Sequence, residues 1–401
     1  MIKHMKYTIC GMNKLLSFLL LITLISCSTE EQSTKEDLYF RFEINDSTHL
    51  DIKANLQANS FQIKNGIEKI EMKEYVSFND HFSARFPVFE SYIMAKKKGG
   101  QYTGYYIDSS RKSPYQIPFT SIIKPKPSDA KQEITWKYHI RFSPKTANEF
   151  EGLGIFKRYN EQIHATVRTE TGDYRFLSGE IQHGQFNIGC IDGSHVFTFK
   201  GEIKGDSIQG HFYSGKHWST SFVGHVDIDY ELQHADSLTQ VVDSSLFDFN
   251  LPDLNGDTIS FQNTYAESPA IVQILGSWCP NCMDETRYYV ELQKQFPELK
   301  IIGVAFERSE ITDTASMALN RMKSDLAINY DLLIGGISRK SVASETFPML
   351  NKVISFPTSI FIDKKGVIRK VHTGFNGPST GKVYEDYKTE TEYFIKKLLA
   401  E

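Results

Sequence analysis

Cysteine is scarce in this chain, with five in 401 residues. That excludes a small scaffold held together by a disulfide framework. A hydrophobic run long enough to cross a membrane is also missing. The apolar run Leu15–Ser26 (LLSFLLLITLIS) is too short to span and follows Lys3, Lys6 and Lys14, which is the pattern of an export signal. Nor is there an excess of positive charge. Taking residues 1–26 away removes three lysines and no acid from 45 basic and 49 acidic side chains, leaving a net −7 with histidine neutral. A mildly acidic surface argues against nucleic acid as a partner.

What stands at the end of the signal is Leu24-Ile25-Ser26-Cys27. This resembles a bacterial lipobox, in which Cys27 is acylated and becomes the mature N-terminus. The plainer alternative is an ordinary signal peptide that happens to contain a cysteine. The polar, acidic stretch behind it (STEEQSTKED) reads as a tether. Ser28 in place of aspartate argues, by resemblance, against retention at the inner membrane. The expected location is the envelope of a Gram-negative bacterium, lipid-anchored and in the outer membrane. The expected segments are a lipoprotein signal over 1–26, a tether over 27–36, an all-β domain over 37–235, a linker over 236–246 and a redox domain over 247–401. Cys10 leaves with the signal, so Cys190, Cys279 and Cys282 remain as thiols.

From about Asp37 to Asp229 no long stretch has helical periodicity, although NGIEKIEMKEY is ambiguous. In EITWKYHIRF, Ile134, Trp136, Tyr138, Ile140 and Phe142 alternate with polar residues, as in a half-buried strand. Pro114, Pro118, Pro125, Pro127 and Pro144 are expected between strands. GEIQHGQFNIG from Gly179 and GEIKGDSIQG from Gly201 form a weak repeat, with GHVDID following from Gly224, and each unit predicts a hairpin of an antiparallel meander. The economical fold is an antiparallel all-β barrel or sandwich. Its aromatics (Phe176, Phe186, Phe197, Phe199, Phe212, Tyr213, Trp218, Phe222) are expected mostly in the core, with a ligand cavity as the alternative. His183, His195, His211, His217 and His225 match no metal-ligand spacing and read as surface or turn residues. Cys190 is expected to be small, buried and unpaired.

Beyond the polar stretch DSLTQVVDSS strands and helices alternate. AIVQILG, KIIGVAF and YDLLIG read as strands. Helices follow AIVQILG (to about Phe296), run through ASMALNRMKSDLA, and lie near SVASETFPML. SFPTSIFIDKKGVIRKVHTG reads as a hairpin and YEDYKTETEYFIKKLL as a last helix. This predicts a mixed α/β sheet with helices on both faces. Tyr289, Leu292 and Phe296 form the face to lay on it.

Within GSWCPNC, Cys279 and Cys282 flank Pro280 and Asn281. The 119 residues after Cys282 contain no further cysteine and one histidine, His372, too few for a zinc site. Met283, where covalent haem would need histidine, argues against that cofactor, and no metal or cofactor is expected. A static bridge across two residues closes almost no loop and stabilises little. Redox exchange remains. Cys279 begins a helix with Pro280 at its first position, where the helix dipole and unpaired N–H groups stabilise a thiolate. Cys279 is expected to attack and Cys282, one turn on, to resolve. Glu285 shares the helix face of Cys282 and could take its proton; the alternative is a first-turn acid, like Asp284, that suits the dipole. Trp278 either shields the pair and shapes a docking surface or walls the core. Pro357 either starts an edge strand or, with a cis Phe356–Pro357 bond, leaves the preceding backbone free to pair with an extended substrate.

GSWCPNC, Glu285, FPT and the hairpin after it resemble the TlpA/ResA-type exported thiol–disulfide oxidoreductases of the thioredoxin fold. The similarity runs from about Phe247 to Leu399, including FDFNLPDLNGDTISF. It implies that Cys279 attacks, Cys282 resolves, Glu285 assists proton movement and Pro357 is cis beside the pair, with Trp278 and Phe356 at the docking face. It also implies oxidised exported proteins as substrates and a membrane reductant of the CcdA/DsbD kind. Gln273, six before Cys279, stands where thioredoxin has a buried aspartate, which puts more weight on Glu285. A disulfide oxidant or isomerase on the same scaffold is the enzymatic alternative, and a surface adaptor lipoprotein led by the β half the non-enzymatic one. A thiol peroxidase would want proline and threonine upstream of its cysteine, and ILGSW has neither.

Overall fold

The computed structural model describes residues 36–111, 115–124, 134–310 and 312–401. The expected signal over 1–26 and Cys27 lie outside these residues, as do Pro114, Pro125 and Pro127. Among the described residues no helix is long and apolar enough to cross a membrane.

The β half is two antiparallel nine-stranded sheets rather than one barrel or sandwich. The first runs from Glu36 to Ile122. Its two edge strands, Glu68–Glu71 and Lys73–Phe78, are consecutive in the chain, so the sheet curls to bring its edges together across Met72. They resolve the ambiguous NGIEKIEMKEY as strand. Phe40, Phe61, Phe82 and Phe119 pack inside the curl, with Phe40 and Phe119 ring centroids 4.5 Å apart. Pro118 corrects the expectation that the prolines separate strands, because it lies within Tyr115–Ile122. Pairing with the neighbour Glu36–Asn45 starts only at Phe119, so Pro118 sits where the strand is paired on one side and a missing N–H is tolerated.

The second sheet closes on itself, since Phe150–Tyr159 pairs both with Ile134–Phe142 and with Gln162–Thr169. The repeat appears as two hairpins, Leu177–Gln182 with Gln185–Ile191 and Val196–Lys204 with Ser207–Ser214. The alternation in Ile134–Phe142 points Tyr138, Ile140 and Phe142 inward, onto Phe186, Phe199, Phe212 and Phe222. Phe176, Phe197 and Tyr213 are half-buried, and Trp218 at the start of its strand is exposed. Cys190 is buried and free, and burial pushes its thiol well above the ordinary range. Across one strand pair His139, His225 and Asp227 bring ligand atoms within 4.8 Å of one another, a grouping that linear spacing does not show.

The C-terminal half is a five-stranded mixed sheet in the order Asp331–Ile337, Lys300–Glu307, Ala270–Leu275, Thr358–Ile362, Ile368–Thr373. The first three strands are parallel and the last two antiparallel. Every residue of the central strand Ala270–Leu275 is buried, as a strand covered on both faces requires. The helix Pro280–Gln295 lays Tyr289 and Leu292 on one side of the sheet, followed by Phe296. The helix Lys340–Thr346 contributes Ala343 to the core on the other. The segment 236–246 is held against the last strand, where Asp236 meets His372 at 2.6 Å and the Thr373 hydroxyl donates to Thr239 at 2.7 Å.

Both barrels pack on this half. From the first, Arg85 pairs with Asp325 at 3.0 Å, and the same carboxylate accepts the Val88 N–H at 2.8 Å. Removing that carboxylate leaves a buried guanidinium and an N–H short of an acceptor. Asp325→Ala should therefore cost about 2 kcal/mol, read as a lower urea midpoint at unchanged slope.

Candidate active site

The turn from the central strand into the helix carries the cysteines. Cys279 is the N-cap of Pro280–Gln295, with Pro280 at the first helical position. Its sulfur accepts the Cys282 N–H at 3.2 Å, one of the orphan donors of a helix start, and this donor stabilises negative charge on that sulfur. Cys279 and Cys282 are joined as a disulfide with Cα atoms 5.2 Å apart. Cys279 is 5 % exposed and Cys282 0 %, so only the first can meet a substrate directly.

A second carboxylate, which sequence reading does not find, holds this turn. Glu307 ends the strand beside the central one and accepts both the Ser277 N–H and the Ser277 hydroxyl, each at 2.7 Å. Its burial pushes its own pKa up, and the two Ser277 bonds oppose that. Trp278 donates its indole N–H to the Phe306 carbonyl at 2.9 Å and meets the Phe356 ring edge-on at 5.5 Å. It is at once core wall and rim. The Phe356–Pro357 bond is cis, and the Phe356 carbonyl oxygen lies 3.4 Å from Cys279 Sγ.

Glu285 lies one turn beyond Cys282 and is 0 % exposed. The helix starts at Pro280, so Asp284 and Glu285 fall past the first turn, which removes the alternative of ordinary first-turn acids. Burial raises the Glu285 carboxyl to about 7, against hydrogen bonds from Gln273, Ser359, Tyr289 and Tyr387 that favour its charged form. Gln273 Nε2 donates to Glu285 Oε2 at 2.8 Å and reaches the Cys282 carbonyl at 3.4 Å. The Ser359 hydroxyl donates to Oε1 at 3.1 Å, and Tyr289 and Tyr387 hydroxyls meet at 3.1 Å behind it. Gln273 orients the acid and carries no proton itself. A carboxyl titrating near neutrality one helical turn beyond Cys282 is the kind of group that exchanges protons in such a site.

Sequence reading also misses the groups that the second barrel brings to this face. Arg175 donates to Asp284 at 2.7 Å and meets Glu68 of the first barrel, tying three parts of the chain beside the redox helix. Asp192 is buried and accepts the His195 N–H at 2.7 Å, with the His195 ring 3.2 Å away. His195 and Cys279 line one cleft. The missed groups lie on strands and turns with no motif of their own, and no local signal marks them.

Residues 242–371 match the AhpC/TSA family. A thioredoxin-like protein, YneN of Bacillus subtilis (strain 168), is 27% identical over 128 residues, covering 32% of this chain and 68% of that protein. Among solved structures, a thiol-disulfide oxidoreductase from Bacteroides fragilis superposes with a TM-score of 0.27 at 18% identity, covering 36% of this chain and 98% of its own. StoA from Bacillus subtilis superposes with a TM-score of 0.27 at 18% identity, covering 37% and 99%. With its mixed sheet and helix-capping Cys279–Cys282 pair, the C-terminal half carries a domain that matches the AhpC/TSA family over residues 242–371 and is similar to a thioredoxin-like protein, behind two N-terminal β-barrels.

Proposed function

We propose that this protein is a lipid-anchored reductase that acts on disulfides of exported proteins. The supporting observation is the contrast within the pair: a slightly exposed cysteine at a helix start, and a fully buried one with a buried carboxyl that titrates near neutrality one turn further along the helix. In the forward reaction the Cys279 thiolate attacks one substrate sulfur, and the other substrate sulfur leaves and takes a proton. Cys282 then gives its proton to Glu285 and attacks Cys279 Sγ, releasing the second substrate thiol. Two electrons pass from the cysteine pair to the substrate, and the pair is left as the disulfide. A dithiol reductant, of the class a membrane CcdA/DsbD-type protein would present, restores it.

The reductase direction predicts that Cys279 is mostly free thiol in growing cells. Acid quenching followed by a maleimide mass tag reads this directly. A pair found mainly as the disulfide would point to an oxidant instead. Anchoring through Cys27 predicts palmitate labelling that Cys27→Ala abolishes, with the labelled protein in the outer-membrane fraction.

A further inference from the structure

The turn Thr169–Gly172 of the second barrel sits directly on the redox motif. The Thr171 carbonyl accepts the Ser355 hydroxyl at 3.1 Å, next to the cis-proline. Gly172 lies against Asn281 of CPNC, with a φ of +144°, and a Cβ there would come within 2.0 Å of the Asn281 side-chain nitrogen. On the loop after the last strand, Gly374 lies so close that its own Cβ would meet Thr171 backbone at 2.9 Å. The chain just beyond is strapped down as well. Asp173 accepts the Gly377 N–H at 2.6 Å and the Ser379 hydroxyl at 2.8 Å, and Arg175 holds Asp284.

The turn therefore touches the CPNC turn, the loop that leads into the cis-proline and the loop after the last strand. What remains open is a cleft of about 290 Å³. It is walled by Tyr174, His195 and Phe197 of the barrel and by Trp278 and Phe356 of the redox domain, with Lys340 at its rim. Small-molecule pockets start at about 300 Å³, so the opening suits a thin ligand and not a folded surface.

We propose that the second barrel selects disulfides carried on an extended, unfolded stretch of chain and turns away those on folded proteins. The inference rests on the oxidoreductase reading above and narrows its substrate class. Exchange proceeds as already written: Cys279 forms the mixed disulfide with the peptide, Cys282 displaces the peptide thiol, and the peptide gains two electrons and two protons. Dithiothreitol supplies both in the assay. The Thr171–Ser355 hydrogen bond and the Asp173 bonds to Gly377 and Ser379 make the turn a fixed wall rather than a loose loop.

The test compares kcat/KM of the full mature chain for a short linear peptide with an intramolecular disulfide and for insulin. A single-domain thioredoxin is measured in parallel. The expected peptide-to-insulin ratio exceeds that of the thioredoxin by about tenfold or more. Gly172→Ala, which pushes the turn off Asn281, should bring the ratio back toward thioredoxin's. Ser355→Ala removes the turn's other tie, the hydrogen bond to the Thr171 carbonyl, without adding volume and serves if the first variant does not fold. A wild-type ratio equal to thioredoxin's, or one unmoved by both substitutions, overturns the selection. Failure to reduce either disulfide instead overturns the oxidoreductase reading, and the selection with it.

Discussion

Cys279→Ser will leave the protein folded and reduce dithiothreitol-driven disulfide turnover by about a thousandfold or to background. Cys282→Ser will stop the same reaction one step later, with substrate held on Cys279. The difference follows from burial. Cys279 is the one residue of the pair with any exposure, and its sulfur accepts the Cys282 N–H, which favours its thiolate. Cys282 is sealed beneath it and can reach only Cys279. Serine at 279 is too weak a nucleophile to begin the exchange, whereas serine at 282 removes only the resolving attack. Non-reducing gels should show mixed disulfides for Cys282→Ser and none for Cys279→Ser. The reverse pattern would exchange the two roles.

Glu285→Gln has the second largest expected effect, and it is visible in both rate and stability. With the wild-type carboxyl titrating at about 7, resolution of the mixed disulfide should speed up as pH rises through that value, because the charged form accepts the Cys282 proton. Glutamine cannot accept it. The variant should resolve about a hundredfold more slowly at pH 8 and lose the inflection near 7. Stopped-flow release of the second substrate thiol between pH 5.5 and 8.5 measures both, and a variant that keeps the inflection removes Glu285 from the proton path.

The stability effect has the opposite sense. A folded-state pKa raised from 4.5 to about 7 gives stability that is fully present below the unfolded value and is lost as pH rises through the folded one. The wild type should therefore lose about 3 kcal/mol between pH 4.5 and 8 through this group. Glu285→Gln should be flatter over that window and more stable at pH 8. Urea titrations at the two ends separate the curves. A gain in stability beside a loss of rate is the mark of a buried acid kept for chemistry.

Much of the redox half was legible because its signals are local. Two cysteines three apart with proline between them, at the junction of an apolar strand and an amphipathic helix, mark the pair and the helix start without tertiary help. Glu285 was legible as a position on a helix face, but its surroundings were not. Gln273 is 12 residues from it and Ser359 is 74, and only the sheet order brings their side chains to one carboxylate. The β half was legible as antiparallel from alternation and from the Gly179 and Gly201 repeat. The division into two sheets was not, because each strand there has the same period, and nothing local says where one sheet ends. Pro118 misled for a related reason: whether a proline breaks a strand depends on which neighbour is missing.

The order of residues alone determined the cysteine pair, its place at a helix start and the fold class of each half, since these depend on spacing along one helix or one strand. Tertiary structure decided how acidic Glu285 is and how much of the pair is exposed. Both depend on desolvation and contact between segments far apart in the chain, as Ser355 and Thr171 are at 184 residues, and periodicity along the backbone carries no information about them.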